Sequence, residues 1–133
     1  MLPKMKLTSL FIVLFFISSC SKEVRVNNRL DGKWSLKIDK NEDSSASYLI
    51  SRKYKFTKLG KNTGFVEIQT KSLNAGDYND KGTYTITRNE LRMILTDDIG
   101  VAFNLDYKVK SFLRRKIVLQ SMHGDYEAVL ISE

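Results

Sequence analysis

The chain has 133 residues, a net charge of +7 at neutral pH, one Cys, one His and one Pro. That length is a single domain with enough material for an apolar core. One Cys excludes an internal disulfide, and a lone His leaves metal ligation and nucleophile activation without partners.

The amino terminus reads as an export signal. Lys4 and Lys6 form a positive stretch, and Leu7 to Ile17 is an uncharged run. That run fits a signal-peptide core of about 7–15 residues and falls short of the ~20 needed to span a membrane. Ile17-Ser18-Ser19-Cys20 closes it and resembles the lipobox of bacterial lipoproteins. Ile17 stands where that family prefers Leu, and Ser19 where it prefers Gly or Ala. The alternative is an ordinary secretory cleavage site with an incidental Cys. The resemblance implies that residues 1–19 are removed and that Cys20 carries a diacylglyceryl group and an acylated amino terminus. It implies a lipid-anchored protein of the cell envelope, at the outer membrane, because Ser21 is unlike the Asp that retains lipoproteins at the inner one. A chain that loses Lys4 and Lys6 keeps 20 of its 22 basic side chains against 15 acidic ones, a net of +5. Such a balance suits an anionic headgroup surface or plain solubility. An envelope address argues against nucleic acid as a partner.

Residues 20–29 are polar and read as a lipidated tether. From Leu30 to Glu133 the pattern is one of strands. Trp34, Leu36 and Ile38 alternate with Lys33, Ser35, Lys37 and Asp39, the period of a half-buried strand. Asn41 to Ser47 is a polar loop. Tyr48, Ile50, Arg52, Tyr54 and Phe56 then share one face. Gly60 to Gly64 is a turn, Phe65 to Thr70 a shorter strand, and Ser72 to Lys81 the longest loop. Thr83 to Thr87 and Leu91 to Thr96 are strands about a turn at Arg88-Asn89-Glu90, where Asn tolerates a left-handed conformation. Asp97 to Gly100 turns into the cleanest strand, Val101 to Lys110. Phe112 to Arg115 is a turn, Lys116 to Met122 a strand, His123-Gly124-Asp125 a turn, and Tyr126 to Ile131 the last strand.

Eight strands joined by short hairpins predict an all-β fold, an eight-stranded antiparallel up-and-down barrel, which removes exposed edges by closing. A two-sheet β-sandwich is the alternative. No segment after the leader shows a helical period.

Leu30-Asp31-Gly32-Lys33-Trp34 resembles the opening of the lipocalin superfamily, where a Gly-x-Trp motif starts strand A. Gly82 to Ile86, followed by Leu91, is similar to small lipocalin-like lipoproteins of Gram-negative envelopes. The resemblance implies structural work for Gly32 and Trp34, with Trp34 closing one end of a barrel over residues 30–133. It implies an Arg packed on the Trp, for which Arg114 and Arg115 are candidates. It also implies a small apolar or amphiphilic ligand. Asp106-Tyr107 only partly matches a second lipocalin segment, and a C-terminal helix is missing.

Arg52 breaks the apolar face between Ile50 and Tyr54. One reading makes it the anion-binding residue of a partly open barrel, assisted by Tyr54, because a guanidinium grips carboxylate or phosphate bidentately. The other turns it outward at a β-bulge near Ser51, pairs it with an internal acid, or stacks it on Trp34. Asp77 to Gly82 has the start of a calcium loop, but Lys81 and Arg88 occupy the fifth and twelfth positions, so it reads as a solvated loop. Asp97-Asp98 and His123 read as turn residues. No catalytic constellation, metal site or cofactor motif emerges, so the expected function is noncatalytic. It is either a carrier of one small ligand or an envelope interaction and scaffold protein with a filled barrel.

Overall fold

The computed structural model describes residues 22–37 and 48–133. The leader, Cys20, Ser21, Ile38, Asp39 and the expected loop at Asn41–Ser47 lie outside the described residues. Eight antiparallel strands close on themselves among the rest: β1 (Gly32–Leu36), β2 (Leu49–Lys58), β3 (Thr63–Ser72), β4 (Gly76–Thr87), β5 (Glu90–Thr96), β6 (Ala102–Phe112), β7 (Lys116–Ser121) and β8 (Glu127–Ser132). Each strand pairs with its neighbour in sequence, and β1 pairs with β8 through Trp34 and Ser132. That last pairing removes both edges and rules out the sandwich.

The period-2 pattern places the core. Leu91, Met93 and Leu95 of β5 are buried between exposed Arg92 and Ile94; Ile117 and Leu119 of β7 and Leu130 of β8 do the same from across the barrel. With Trp34, Phe56, Val66, Tyr84 and Ile86 they fill one half of the interior.

Four expectations are corrected. The segment read as a tether is helical over residues 22–30, here α1. Val26 and Leu30, four apart and so on one face, are buried in the barrel core. The body of the domain thus begins before Leu30. The longest loop does not exist. β3 and β4 run on as a long hairpin whose turn is only Leu73 to Ala75, so Asp77 to Gly82 is strand and not a solvated loop. The left-handed residue of the β4–β5 turn is Arg88 (φ 56°) rather than Asn89. Arg114 and Arg115 are exposed in the β6–β7 turn, and the Arg that clamps the barrel end is Arg29. Its guanidinium lies 5.1 Å from the Phe112 ring centroid and donates to the Phe112 carbonyl at 3.2 Å.

Helix α1 lies over one end of the barrel. Glu23 accepts from the Arg88 amide in the β4–β5 turn, and Asn27 donates to the Gly60 carbonyl in the β2–β3 turn. The helix ends at Leu30, whose carbonyl would otherwise lack a donor. The Trp34 indole Nε1 supplies one at 2.8 Å. Gly32 makes the turn between them possible with φ of 131°, a conformation closed to other residues. The Gly-x-Trp segment therefore joins α1 to β1 and caps the helix with the plug of the barrel.

Candidate functional site

The other end of the barrel holds a cavity of about 440 Å³. Its position follows from the antiparallel order. α1 closes the end carrying the β2–β3, β4–β5 and β6–β7 turns, and the cavity lies by the β5–β6 and β7–β8 turns. Among the described residues it is open beside Ile99 and Tyr126, both exposed.

Sheet register explains the wall. Arg52 pairs with Thr70, which pairs with Tyr78, so the three stand at one level on β2, β3 and β4. Arg52 Nε donates to Thr70 Oγ1 at 3.1 Å, and Nη2 donates to the Tyr78 hydroxyl at 3.4 Å. One inward position deeper, Tyr54, Ile68 and Asp80 form the next level. Phe103, Leu105 and Tyr107 of β6 face them. Tyr107 meets Tyr126 edge-on at 6.4 Å, with the hydroxyls 3.4 Å apart.

A β-bulge does occur near Ser51, but its effect is not the one anticipated. Leu49 pairs with Ser72 and Ser51 with Lys71, leaving Ile50 as the extra residue. The bulge turns out Tyr48 and Ile50, each 53% exposed. Arg52 stays with Tyr54 on the cavity wall. Nor does it stack on Trp34 or pair with an acid: no described carboxylate forms an ion pair with it. Burial works against its charge, but the phenol oxygens of Tyr54 and Tyr78 outweigh this and hold it protonated. Burial in turn pushes the Tyr54 phenol up, with Arg52 pulling the other way. Burial and the neighbouring Tyr54 and Tyr126 push the Tyr107 phenol up as well. Both phenols are neutral hydrogen-bond donors at physiological pH.

The cavity also has an acidic side, formed by Asp80, Asp97 and Asp98. Asp80 is only 7% exposed and, among the described residues, has no hydrogen-bond or ion-pair partner. Burial raises the affinity of its carboxyl for a proton, and Asp97 and Asp98 add to that effect. Asp97 Oδ1 accepts from the Ile99 and Val101 amides, the turn cap expected of it, and Asp98 Oδ2 accepts from the Asn79 amide. Tyr78 and Asp80 lie in the stretch read as a loop. The clue to them is that Tyr78, Asp80, Gly82 and Tyr84 continue the alternation of β4.

His123 is exposed in the β7–β8 turn with Nε2 3.3 Å from Asp106. No group of three potential metal ligands converges among the described residues.

No protein-family model matches this chain, and no curated protein does. Among solved structures, a redesigned β-barrel superposes with a TM-score of 0.54 at 14% identity, covering 80% of this chain and 94% of that one. A de novo designed fluorescence-activating β-barrel gives 0.48 at 10% identity, over 77% and 93%. The likeness to the redesigned barrel is one of fold: this chain is a closed antiparallel β-barrel.

Proposed function

We propose that this protein is a lipocalin-like envelope carrier, anchored through a lipid on Cys20, that holds one small amphiphile in its barrel. The observation that carries the reading is Arg52: a cation without an ion pair among the described residues, on the wall of a cavity also lined by Tyr54, Ile68, Phe103, Leu105 and Tyr107. Arg52 is half-buried, and a guanidinium partly withdrawn from water is costly unless something meets its charge. A carboxylate or phosphate on an apolar tail does so, and the neutral Tyr54 and Tyr107 hydroxyls can donate to the same group. The volume lies within the roughly 300–1,000 Å³ of small-molecule sites. No step in this reading is catalytic.

Calorimetric titration with decanoate tests it. Wild type is expected to bind, and Arg52→Gln to bind at least tenfold more weakly, about 1.4 kcal/mol, with its far-UV spectrum unchanged. Equal binding by both would remove Arg52 from the site. No binding by either would favour the interaction-protein reading, which has its own support in the apolar residues Leu73, Ile99, Val101 and Met122 exposed around the cavity end.

A further inference from the structure

Resting on the carrier reading, we propose that the ligand is dipolar, with an anionic group held by Arg52 and an ammonium group held by Asp80 within the same cavity. A simple anion accounts for Arg52 and leaves Asp80 unexplained. Asp97 and Asp98 have work in the fold, as acceptors for turn and strand amides. Asp80 has no such partner among the described residues, although it is nine-tenths buried and lines the cavity. A buried carboxylate left without a partner is costly, and a ligand cation removes that cost.

Arg52 favours the Asp80 charge from a distance but forms no ion pair with it. It stands on β2 and Asp80 on β4, one inward level deeper. At about 4.8 Å per strand and 3.4 Å per residue, their Cα atoms are roughly 12 Å apart. Each side chain reaches into the lumen, and no ion pair closes the gap. An anion and a cation separated by a few bonds fit between them. The surroundings of Asp80 suit an ammonium group in a second way, because Tyr54, Phe103 and Tyr107 line the same space. Aromatic walls beside a carboxylate are the usual means of holding a quaternary ammonium. Asp97 and Asp98 at the rim extend the negative potential outward and favour entry of a molecule carrying positive charge.

Two probes separate the possibilities, each used below its critical micelle concentration at pH 8: dodecanoate, and N-decyl-N,N-dimethylglycine, which has a carboxylate and a quaternary ammonium on a tail of similar length. Wild type is expected to bind the zwitterion at least tenfold more tightly than the anion. Asp80→Asn is expected to abolish that preference while holding dodecanoate as well as wild type does or better. Asp98→Asn keeps an acceptor for the Asn79 amide and is expected to reduce the preference about threefold, an independent reading should Asp80→Asn disturb the fold. If dodecanoate binds and the zwitterion gains nothing, or if the preference survives in both variants, the dipolar ligand is overturned and the carrier stands. If neither probe binds wild type, the carrier reading falls and this inference with it.

Discussion

The Tyr84 hydroxyl of β4 donates to Asn27 Oδ1 of α1 at 2.6 Å, inside the closed end of the barrel. Asn27 is 0% exposed, and its amide donates to the Gly60 and Lys61 carbonyls at 2.9 and 3.2 Å. Gly64 makes room, since a Cβ there would collide with the Tyr84 ring and the Thr57 carbonyl. Asn27→Leu is therefore expected to strand several buried polar atoms and cost about 2–4 kcal/mol, at roughly 1–3 for each unsatisfied group. Tyr84→Phe should cost about 1–2 kcal/mol, and the double variant less than the two losses combined. Urea denaturation measures all three. Full additivity would mean that the hydrogen bond contributes nothing to stability.

Trp34 is the chain's one Trp and 2% exposed, so its fluorescence reports on the plug directly. Blue-shifted emission is expected in the fold. Trp34→Ala is expected to cost about 3–5 kcal/mol, and Trp34→Phe less, about 1–2, by uncapping the Leu30 carbonyl. Exposed-indole emission from folded protein would contradict the packing of α1 and β1.

Asp80 gives a stability prediction with a definite sign. Burial first, then Asp97 and Asp98, push its carboxyl above the ordinary value, and Arg52 offsets this only in part. An acid raised in the fold binds its proton more tightly folded than unfolded. The stability from that proton is complete below the unfolded value near ~4 and is lost as pH rises through the higher folded value. Unliganded Asp80→Asn should thus be more stable than wild type at pH 7.5, by about 1 kcal/mol. The advantage should vanish near pH 3. A variant less stable than wild type at pH 7.5 would show that the carboxylate has a partner in the fold.

Lipidation at Cys20 predicts an intact mass with acyl groups and a chain starting at Cys20, and loss of membrane partitioning in Cys20→Ala. The fold adds an orientation. One residue, Ser21, separates Cys20 from Lys22 at the start of α1, at most ~7 Å of chain. The closed end would then lie next to the membrane and the cavity would face away. A dye on Lys61→Cys at the closed end should be quenched by headgroup-linked quenchers more than one on Asn74→Cys in the β3–β4 turn. The opposite order would place the cavity against the bilayer.

Much of this fold was legible because the alternation is strict in β5 and β7, where buried residues take turns with exposed or half-buried ones. What escaped has physical causes. Helix α1 shows only Val26 and Leu30 as buried apolar residues, and its remaining inward position is Asn27, a polar residue satisfied by tertiary contacts that composition does not reveal. The first half of β4 is rich in Asp, Asn and Gly because it walls a polar cavity, and the same composition marks loops. The bulge at Ile50 leaves no mark in the residue types, yet it decides which side chains of β2 face inward. Arg52 was visible as a break in an apolar face; Asp80, its counterpart, was hidden in the apparent loop.

The central claim is that the space around Arg52 is a ligand site. Two-dimensional NMR of the labelled protein with saturating decanoate tests it most directly. The Arg52 Nε–H resonance and the amides of Thr70 and Tyr78 should shift, together with Tyr54 and Tyr107, while the Asn27 side-chain amide at the closed end stays in place. Shifts confined to the outer face of the barrel or to α1, with Arg52 Nε–H unmoved at saturation, would contradict it.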